Sequence, residues 1–163
     1  MRWKIVLVSG FMCSGFGTSA HAQTAQSTMD VTATVVEACA VTANELAFGD
    51  YDPTAAAPTD ATSNIVVACT PGTIFVIGLN QGTSSGATIT DRRMANGLNF
   101  LRYGLFADAA RLTNIGATPG VDALPARTST AVPTVVPVFG RVPAMQKVQP
   151  GNYRDVVTVT VTY

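Results

Sequence analysis

The sequence predicts an all-β protein folded as a β-sandwich. Short runs of β-branched and aromatic residues at period two recur along the chain, turn residues separate them, and no stretch shows the periodicity of an amphipathic helix. About seven such strands with turns between them are typical of a sandwich. The most regular run is the last one, and its apolar face consists of Val157, Val159, Val161 and Tyr163, because successive side chains on a strand point to opposite faces.

The first residues have the features of a signal peptide. A basic start, Met1 to Lys4, precedes an apolar run from Ile5, and Ala20-His21-Ala22 fits the small-residue pattern before a cleavage site. A transmembrane anchor is the alternative, but the run is short and is interrupted by glycine and serine. We therefore predict a signal peptide over residues 1–22 and an exported chain that begins at Gln23.

The composition of the exported chain excludes several classes of protein. Its 141 residues fit one domain, and 8 basic against 10 acidic side chains give a net charge of −2, which does not suit a nucleic-acid partner. Cys39 and Cys69 are its two cysteines, an even count that predicts a disulfide in an exported protein. Such a bridge should stabilise the fold by roughly 3–4 kcal/mol; two buried free thiols are the alternative.

The first half of the exported chain contains three predicted strands and an extended segment. Alternation over residues 28–35 places Met29, Val31, Ala33 and Val35 on one face, and residues 38–49 continue in extended form. An Ala/Pro/Thr-rich stretch predicts a loop as far as Thr62. The remaining two strands are predicted at Ile65–Cys69 and Thr73–Leu79, on either side of a Pro-Gly turn.

The second half continues the same pattern. A run over residues 88–94 and a strand at Asn99–Phe106 flank an Asn-Gly turn, and residues 108–127 are predicted to form a loop with at most one helical turn. Residues 132–142 are extended, and Pro133 and Pro137 should confine them to an edge or a bulge. A turn over residues 144–152 leads into the last strand.

No group of side chains indicates catalysis. The exported chain has no histidine, the cysteines are expected to be bridged, and no glycine-rich phosphate-binding motif occurs. Asp50 and Asp52 could form a carboxylate pair or bind calcium, but aspartates before a proline more often serve a turn. Arg92-Arg93 could bind an anion, although a solvated strand end is the favoured interpretation. We therefore predict no enzyme, no catalytic or metal site and no cofactor.

Several short motifs, taken in order, resemble the spore coat protein U family, which includes the subunits of archaic chaperone–usher pili. They are Cys39-Ala40-Val41, Leu46-Ala47-Phe48-Gly49-Asp50-Tyr51, Ile65-Val66-Val67-Ala68-Cys69-Thr70, Tyr103-Gly104-Leu105-Phe106-Ala107-Asp108-Ala109-Ala110-Arg111, Val138-Phe139-Gly140-Arg141-Val142-Pro143, Pro150-Gly151-Asn152-Tyr153-Arg154-Asp155 and the Val-Thr-Val-Thr-Val-Thr-Tyr ending. Two departures are a short segment before Cys39 and the absence of an aromatic residue at 112–115. The resemblance covers nearly all of the exported chain.

The resemblance implies an incomplete immunoglobulin-like β-sandwich over residues 37–163, completed by a donor strand from a neighbouring subunit. Residues 23–36 would form the donor strand, with Met29, Val31, Ala33 and Val35 pointing into a neighbour's groove. The accepting groove would be lined in part by Val157, Val159, Val161 and Tyr163, and a periplasmic chaperone would occupy it first. The alternative for the first strand is to fold back and complete its own subunit.

The function implied is that of a structural pilus subunit for surface adhesion and biofilm formation. Its expected partners are a periplasmic chaperone, an outer-membrane usher and other copies of itself or related pilins, and it would pass through the periplasm to the cell surface. A secreted coat protein of the same fold is an alternative. A monomeric binding module or a small hydrolase is another.

Overall fold

The computed structural model describes residues 22–163, which contain eight β-strands and no helix. The chain divides into two units, Met1–Thr34 and Val35–Tyr163, and all the strands lie in the second. They are β1 (Cys39–Ala43), β2 (Thr59–Cys69), β3 (Ile74–Leu79), β4 (Arg92–Asn96), β5 (Asn99–Phe106), β6 (Arg127–Thr128), β7 (Thr134–Val142) and β8 (Val159–Thr162). The predicted signal peptide, apart from Ala22, lies outside the described residues. No helix in this range is long and apolar enough to cross a membrane.

The strands form two antiparallel sheets that enclose one apolar core. The larger sheet has the order β1-β2-β7-β5-β4, and the smaller has the order β6-β3-β8. The core residues come from both sheets and from the loop that follows β5. They are Ile65, Val67, Phe75, Ile77, Leu79, Leu101, Tyr103, Leu105, Ile115, Leu124, Val136, Val138 and Val142.

Strand β2 begins earlier than the sequence suggested. The predicted loop was to extend to Thr62, but β2 starts at Thr59, whose partner in β7 is Val142. Pairing therefore extends to the end of β7, and the backbone groups of residues 59–62 enter the ladder in spite of their mostly polar sequence. Strand β8 is shorter than the predicted strand, since its ladder with β3 covers Val159–Thr162.

The position of β7 corrects a second expectation. Pro133 and Pro137 were expected to restrict this segment to an edge or a bulge, but β7 lies inside the larger sheet, between β2 and β5. Strand β5 pairs only with Phe139–Arg141 of β7. Pro137 therefore pairs with Asn64 of β2 on one side and lies outside the β5 ladder on the other.

The predicted strand over residues 28–35 is absent from the structure. Residues 22–38 carry no assigned strand, and Met29, Val31 and Val35 are 85%, 86% and 83% exposed. Alternation provides two faces, but a strand also needs a second strand to bond its backbone N–H and C=O groups. The described residues offer this segment no such partner.

A disulfide joins Cys39 to Cys69, as the sequence predicted. The two cysteines are directly opposite each other in the β1–β2 ladder. Thr70 extends this connection, because its backbone N–H donates to the carbonyl of Ala38 at 2.9 Å and its hydroxyl donates to the carbonyl of Val36 at 3.2 Å. The covalent bond therefore fixes the entry of the chain into the sandwich.

Arg92 is completely buried, which contradicts the expectation of a solvated strand end. Its guanidinium donates to four backbone carbonyls, those of Leu79 (3.1 Å), Asn80 (2.9 Å), Ile89 (2.8 Å) and Ile115 (2.7 Å). Burial lowers the pKa of this side chain. The four carbonyls compensate by satisfying the donors, so Arg92 connects the end of β3 to β4 and to the loop after β5.

Replacing Arg92 should therefore be costly. Arg92→Met fills similar space but leaves the four carbonyls without their donor, and we expect a loss of about 3–5 kcal/mol in the free energy of unfolding. Urea denaturation measures this. Arg127→Met is the matched control, because Arg127 is exposed and should change stability by less than about 0.5 kcal/mol. Equal stability of the two variants would contradict the structural role of Arg92.

A partly exposed charge cluster connects β2 to β7. Arg141 donates to both carboxylate oxygens of Asp60, at 2.7 and 2.8 Å, and Nε of Arg111 lies 3.3 Å from Asp60 Oδ1. Arg111 has a φ of 59° and also donates to the carbonyl of Gly140. The hydrogen bond from Arg141 is the main cause that holds the pKa of Asp60 below its ordinary value.

This pKa shift predicts a pH dependence. Since folding lowers the pKa of Asp60, its contribution to stability is present above the ordinary value of 3.8 and is lost as the pH falls through the lower folded value. Urea denaturation over a pH series should show wild type more stable than Asp60→Asn near neutrality, with the difference shrinking below this pH. When both proteins also carry Arg141→Met, most of the stability difference caused by Asp60→Asn should be absent. A difference that stays constant into acid would contradict the pairing.

Candidate functional site

An open cleft of about 1230 Å³ exposes part of the core between the two sheets. Its first rim is residues 43–51, which begin with the last residue of β1. Its second rim is residues 148–157, which lead into β8, together with Val159 at the start of that strand. The floor consists of apolar side chains and the ring of a tyrosine, and belongs mostly to the core. These residues are Ile65, Leu79, Met94, Leu101, Tyr103, Leu105 and Val138.

The cleft lies where the sandwich has two unpaired strand edges. Strand β8 pairs with β3 along one edge, and no strand among residues 22–163 pairs with its other edge. Strand β1 is likewise the outermost strand of the larger sheet. The two come within 8 Å between Cα atoms, yet no ladder joins them. The core is therefore covered at this end and accessible further along, between the two rims.

The first rim is fixed by aromatic contacts and a tyrosine hydroxyl. The side chains of Leu46 and Phe48 pack over Gly140 of β7. A Cβ atom at position 140 would lie 2.8 Å from each of these side chains. Phe48 also meets the ring of Tyr103 edge to face, with centroids 6.0 Å apart. The hydroxyl of Tyr51 donates to the carbonyl of Pro143 at 2.9 Å and accepts from the backbone N–H of Gln146 at 2.8 Å.

The second rim is anchored through Asp155. This carboxylate accepts hydrogen bonds from the Tyr103 hydroxyl at 2.7 Å, from the backbone N–H of Thr83 at 2.9 Å and from the Thr83 hydroxyl at 3.1 Å. Burial, followed by the hydrogen bond to Asp155, holds the pKa of Tyr103 far above its ordinary value, so its phenol stays a donor. Gly82 is required beside this site, because a Cβ there would collide with the Asp155 carboxylate.

A glutamine side chain closes a gap in the larger sheet near the cleft. The Gln146 amide accepts from the backbone N–H of Arg102 and donates to its carbonyl, each at 2.9 Å. It therefore takes the place of a strand on the side of β5 that β7 does not reach. This pair of hydrogen bonds fixes residue 146 immediately before the second rim.

The four predicted groove residues differ in their surroundings. Val157 and Val159 line the cleft, and their side chains are half-buried. Val161 is half-buried and packs against the core outside the cleft lining, and Tyr163 is 57% exposed. The role of these four residues in accepting a strand stays a prediction.

Sequence reasoning missed most of the cleft. The first rim has a short alternation, Leu46-Ala47-Phe48, which could have indicated two side chains facing the core. The Tyr103–Asp155 pair spans 52 residues, and no local pattern indicates that these two side chains meet. The floor residues were predicted as strand residues, without any indication that a cleft exposes them.

Asp52, one of the two aspartates considered as a carboxylate pair, takes part in a turn. Asp52 Oδ1 accepts from the backbone N–H of Thr54 at 2.8 Å and from its hydroxyl at 2.6 Å, bonds that lower the pKa of Asp52 and are typical of a turn. Within residues 22–163, no three His, Cys, Asp or Glu side chains are grouped so as to hold a metal ion. The chemistry that the cleft offers is apolar contact together with the backbone groups of its edges.

Fold and cleft together define a class of protein, a β-sandwich that is open beside one edge strand. The sequence matches the Spore Coat Protein U domain over residues 25–160. It is 36% identical to Protein U of Myxococcus xanthus over 159 residues, which is 88% of each chain. The chain belongs to the Spore Coat Protein U domain family, as its motifs predicted.

A solved structure supports the fold. One chain in the crystal structure of the CsuC–CsuE chaperone–tip adhesion subunit pre-assembly complex, from the archaic chaperone–usher Csu pili of Acinetobacter baumannii, superposes with a TM-score of 0.57 at 23% identity. The match covers 80% of this chain but only 40% of that one. The P pilus rod subunit PapA gives a TM-score of 0.49 at 14% identity, covering 77% of this chain and 98% of that one. The eight strands and the superposition on the Csu chain confirm the predicted all-β, immunoglobulin-like sandwich.

The Tyr103–Asp155 contact should stabilise the second rim measurably. A double-mutant cycle with Tyr103→Phe and Asp155→Ala should give a coupling of about 1.5–3 kcal/mol in the free energy of unfolding, because the bond joins a buried phenol to a charged acceptor. Chemical denaturation of the four proteins measures it. Thr54→Val with Asp155→Ala is the control pair and should show additive effects. A coupling near zero for Tyr103 and Asp155 would contradict this contact.

Proposed function

We propose that this protein is a structural pilus subunit that polymerises by donor-strand exchange. The observation that carries the proposal is the apolar cleft beside β8, whose outer edge has no strand partner among the described residues. An exposed apolar edge of this kind is a liability unless a strand covers it. A strand added there would bond its backbone to β8 and place alternate side chains on the cleft floor.

The segment over residues 28–35 has the pattern that such a cleft requires. Met29, Val31, Ala33 and Val35 share one face, and all four side chains are exposed. Burying the three larger ones on a cleft floor would contribute roughly 1.5–3 kcal/mol each. A ladder of backbone hydrogen bonds would add about 0.5–1.5 kcal/mol per bond.

The chain immediately before β1 offers no residue that favours a tight turn. Residues 36–38 contain no glycine, proline, asparagine or aspartate. They are also held in place by Thr70, which bonds the carbonyls of Val36 and Ala38. A tight turn at these residues is therefore disfavoured, which supports donation of the preceding segment to another copy.

Donation from one copy to the next builds a filament. The donor segment and the cleft are different surfaces, so the contact is head-to-tail and adds subunits without closing. Before assembly, the cleft needs a temporary occupant, which on this proposal is a periplasmic chaperone, and an outer-membrane usher would assemble the fibre at the cell surface. The likeness of fold to a chain from a chaperone–subunit complex of Csu pili supports these partners. Adhesion and biofilm formation are the proposed role of the fibre.

A secreted coat protein is the second candidate function. The observation that favours it is the 36% identity to Protein U, over 88% of both chains. Its cleft would need the same kind of strand, so polymerisation alone does not separate the two functions. Dependence on the chaperone and the usher does: fibres on cells that require both support a pilus, and assembly without either supports a coat.

A gel comparison tests strand exchange. Material sheared from producing cells should give a high-mass ladder without boiling and a single band after boiling. Val31→Asp should abolish the ladder, because it places a charge on the apolar cleft floor. Thr32→Asp is the matched control, since it adds the same charge on the opposite face of the segment and should leave the ladder intact. A single monomer band in both lanes for wild type would refute the proposal.

A further inference from the structure

A second concave surface lies on the β4–β5 hairpin, on the face away from the cleft. It is an open recess of about 350 Å³, lined by Arg93, Phe100, Arg102, Gln146, Lys147 and Val148. Alternate residues of β5 separate the two surfaces, because Leu101 and Tyr103 belong to the cleft floor whereas Phe100 and Arg102 line the recess. A strand in the cleft would therefore not fill the recess.

The recess has an excess of positive charge. Arg93 and Arg102 are directly opposite each other in the β4–β5 ladder, and like charges in this position destabilise a pair of strands. A single carboxylate lies between them, since Asp91 pairs with Arg93 at 3.0 Å and with Arg102 at 3.2 Å. Lys147 is exposed and has no ion pair among residues 22–163. Three cations against one anion leave a net charge of +2.

The fold does not use all the donors of these arginines. The neighbouring Arg92 donates to four backbone carbonyls and is satisfied within the core. Within residues 22–163, by contrast, Arg93 donates only to Asp91, and its buried Nε has no partner. The side chain of Arg102 is 61% exposed. The anion-binding interpretation of Arg92-Arg93 therefore fails for the buried Arg92 but applies to Arg93 and its cross-strand neighbour.

We propose that this recess binds the carboxylate of an acidic sugar unit. A guanidinium binds a carboxylate through two parallel N–H donors, and Lys147 adds a second charge beside the exposed Arg102. Phe100 is 37% exposed and gives the recess an apolar surface. Because the face of an aromatic ring is negative, it attracts the C–H groups on one face of a sugar ring. The inference goes beyond the proposed function, which concerns the cleft.

The isolation of this cluster favours a sugar over a nucleic acid. Sites for single-stranded nucleic acids combine several stacking rings with a cationic groove that follows the backbone. Here Phe100 is the one aromatic side chain of the recess, and the exported chain has a net charge of −2. A volume of about 350 Å³ is near the lower end for small-molecule sites. The recess therefore suits one unit of a glycan, such as a hexuronate.

Fluorescence anisotropy of labelled digalacturonate tests this inference on the exported chain as producing cells yield it, whether as fibres or as free subunits. Wild type should bind the acid. The methyl ester of the same sugar retains the rings without the charges, and it should bind at least about tenfold more weakly. Added salt should weaken binding of the acid, because exposed charges are screened. The assay requires neither assembly nor a chaperone, so its outcome is independent of the gel comparison.

Arg102→Gln should weaken binding of the acid about tenfold, because it removes an exposed guanidinium from the recess. Arg127→Gln is the matched control, since Arg127 is an exposed arginine of β6 outside the recess and its loss should leave the affinity unchanged. Lys147→Gln is a second recess variant and should weaken binding about threefold. Phe100→Ala should weaken binding of the sugar but not of inorganic phosphate, which has charge and no ring.

Several outcomes would overturn the inference. Absence of binding by wild type, equal binding of the acid and its methyl ester, or equal affinity of wild type, Arg102→Gln and Lys147→Gln would refute a site in the recess. Phosphate that competes as strongly as the sugar, or an oligothymidylate that binds more tightly, would refute the acidic sugar as its ligand. Each of these results leaves the proposed function of the cleft intact. Circular dichroism of the variants shows whether the fold is retained.

Discussion

Among residues 22–163, strand β8 has a hydrogen-bonded partner strand on one edge only, and the rest of the described structure depends on this constraint. Strand β3 bonds its inner edge over four residues. Its outer edge opens onto the cleft, so core residues such as Leu79 and Tyr103 double as the cleft floor. A sandwich normally covers its core with paired strands on both sides. Here the same core stabilises the subunit and offers the surface that another strand can cover.

The cleft keeps its form because polar contacts hold both rims while the floor stays apolar. Tyr51 secures the first rim, Asp155 secures the second, and Gln146 completes the sheet between them. Arg92 fixes the end of β3, and with it the strand that positions β8. A site held in place before binding loses less conformational entropy when it is occupied. On the proposed function, an incoming strand would therefore meet rims that are already in place.

The features that depend on local sequence pattern could be predicted from the sequence. Those that depend on contacts between residues far apart in the sequence could not. Period-two alternation located β5 to the residue and β3 to within one residue, because each presents one face to the core. The same rule predicts a strand at residues 28–35, where the pattern is clear but no partner strand exists in the described chain. Arg92 was misjudged because a charged residue at a strand end is usually solvated, and its four carbonyl partners come from segments up to 23 residues away. The cleft itself results from contacts such as Leu46 with Gly140, which no local rule supplies.

Two segments with the same alternating pattern thus have different structures. The difference is whether the described chain offers each segment a strand edge with which to pair. The last segment finds β3, whereas residues 28–35 enter no ladder and leave Met29 and Val31 exposed. On the proposed function, the two features fit each other, because the cleft lacks a strand beside β8 and the segment over residues 28–35 lacks a sheet to join. Both are satisfied only between copies, so the stability of one subunit becomes inseparable from the presence of its neighbour. An isolated copy keeps its disulfide and its Arg92 cluster but leaves an apolar floor in water, and on the proposed function this is the physical reason that the cleft needs an occupant.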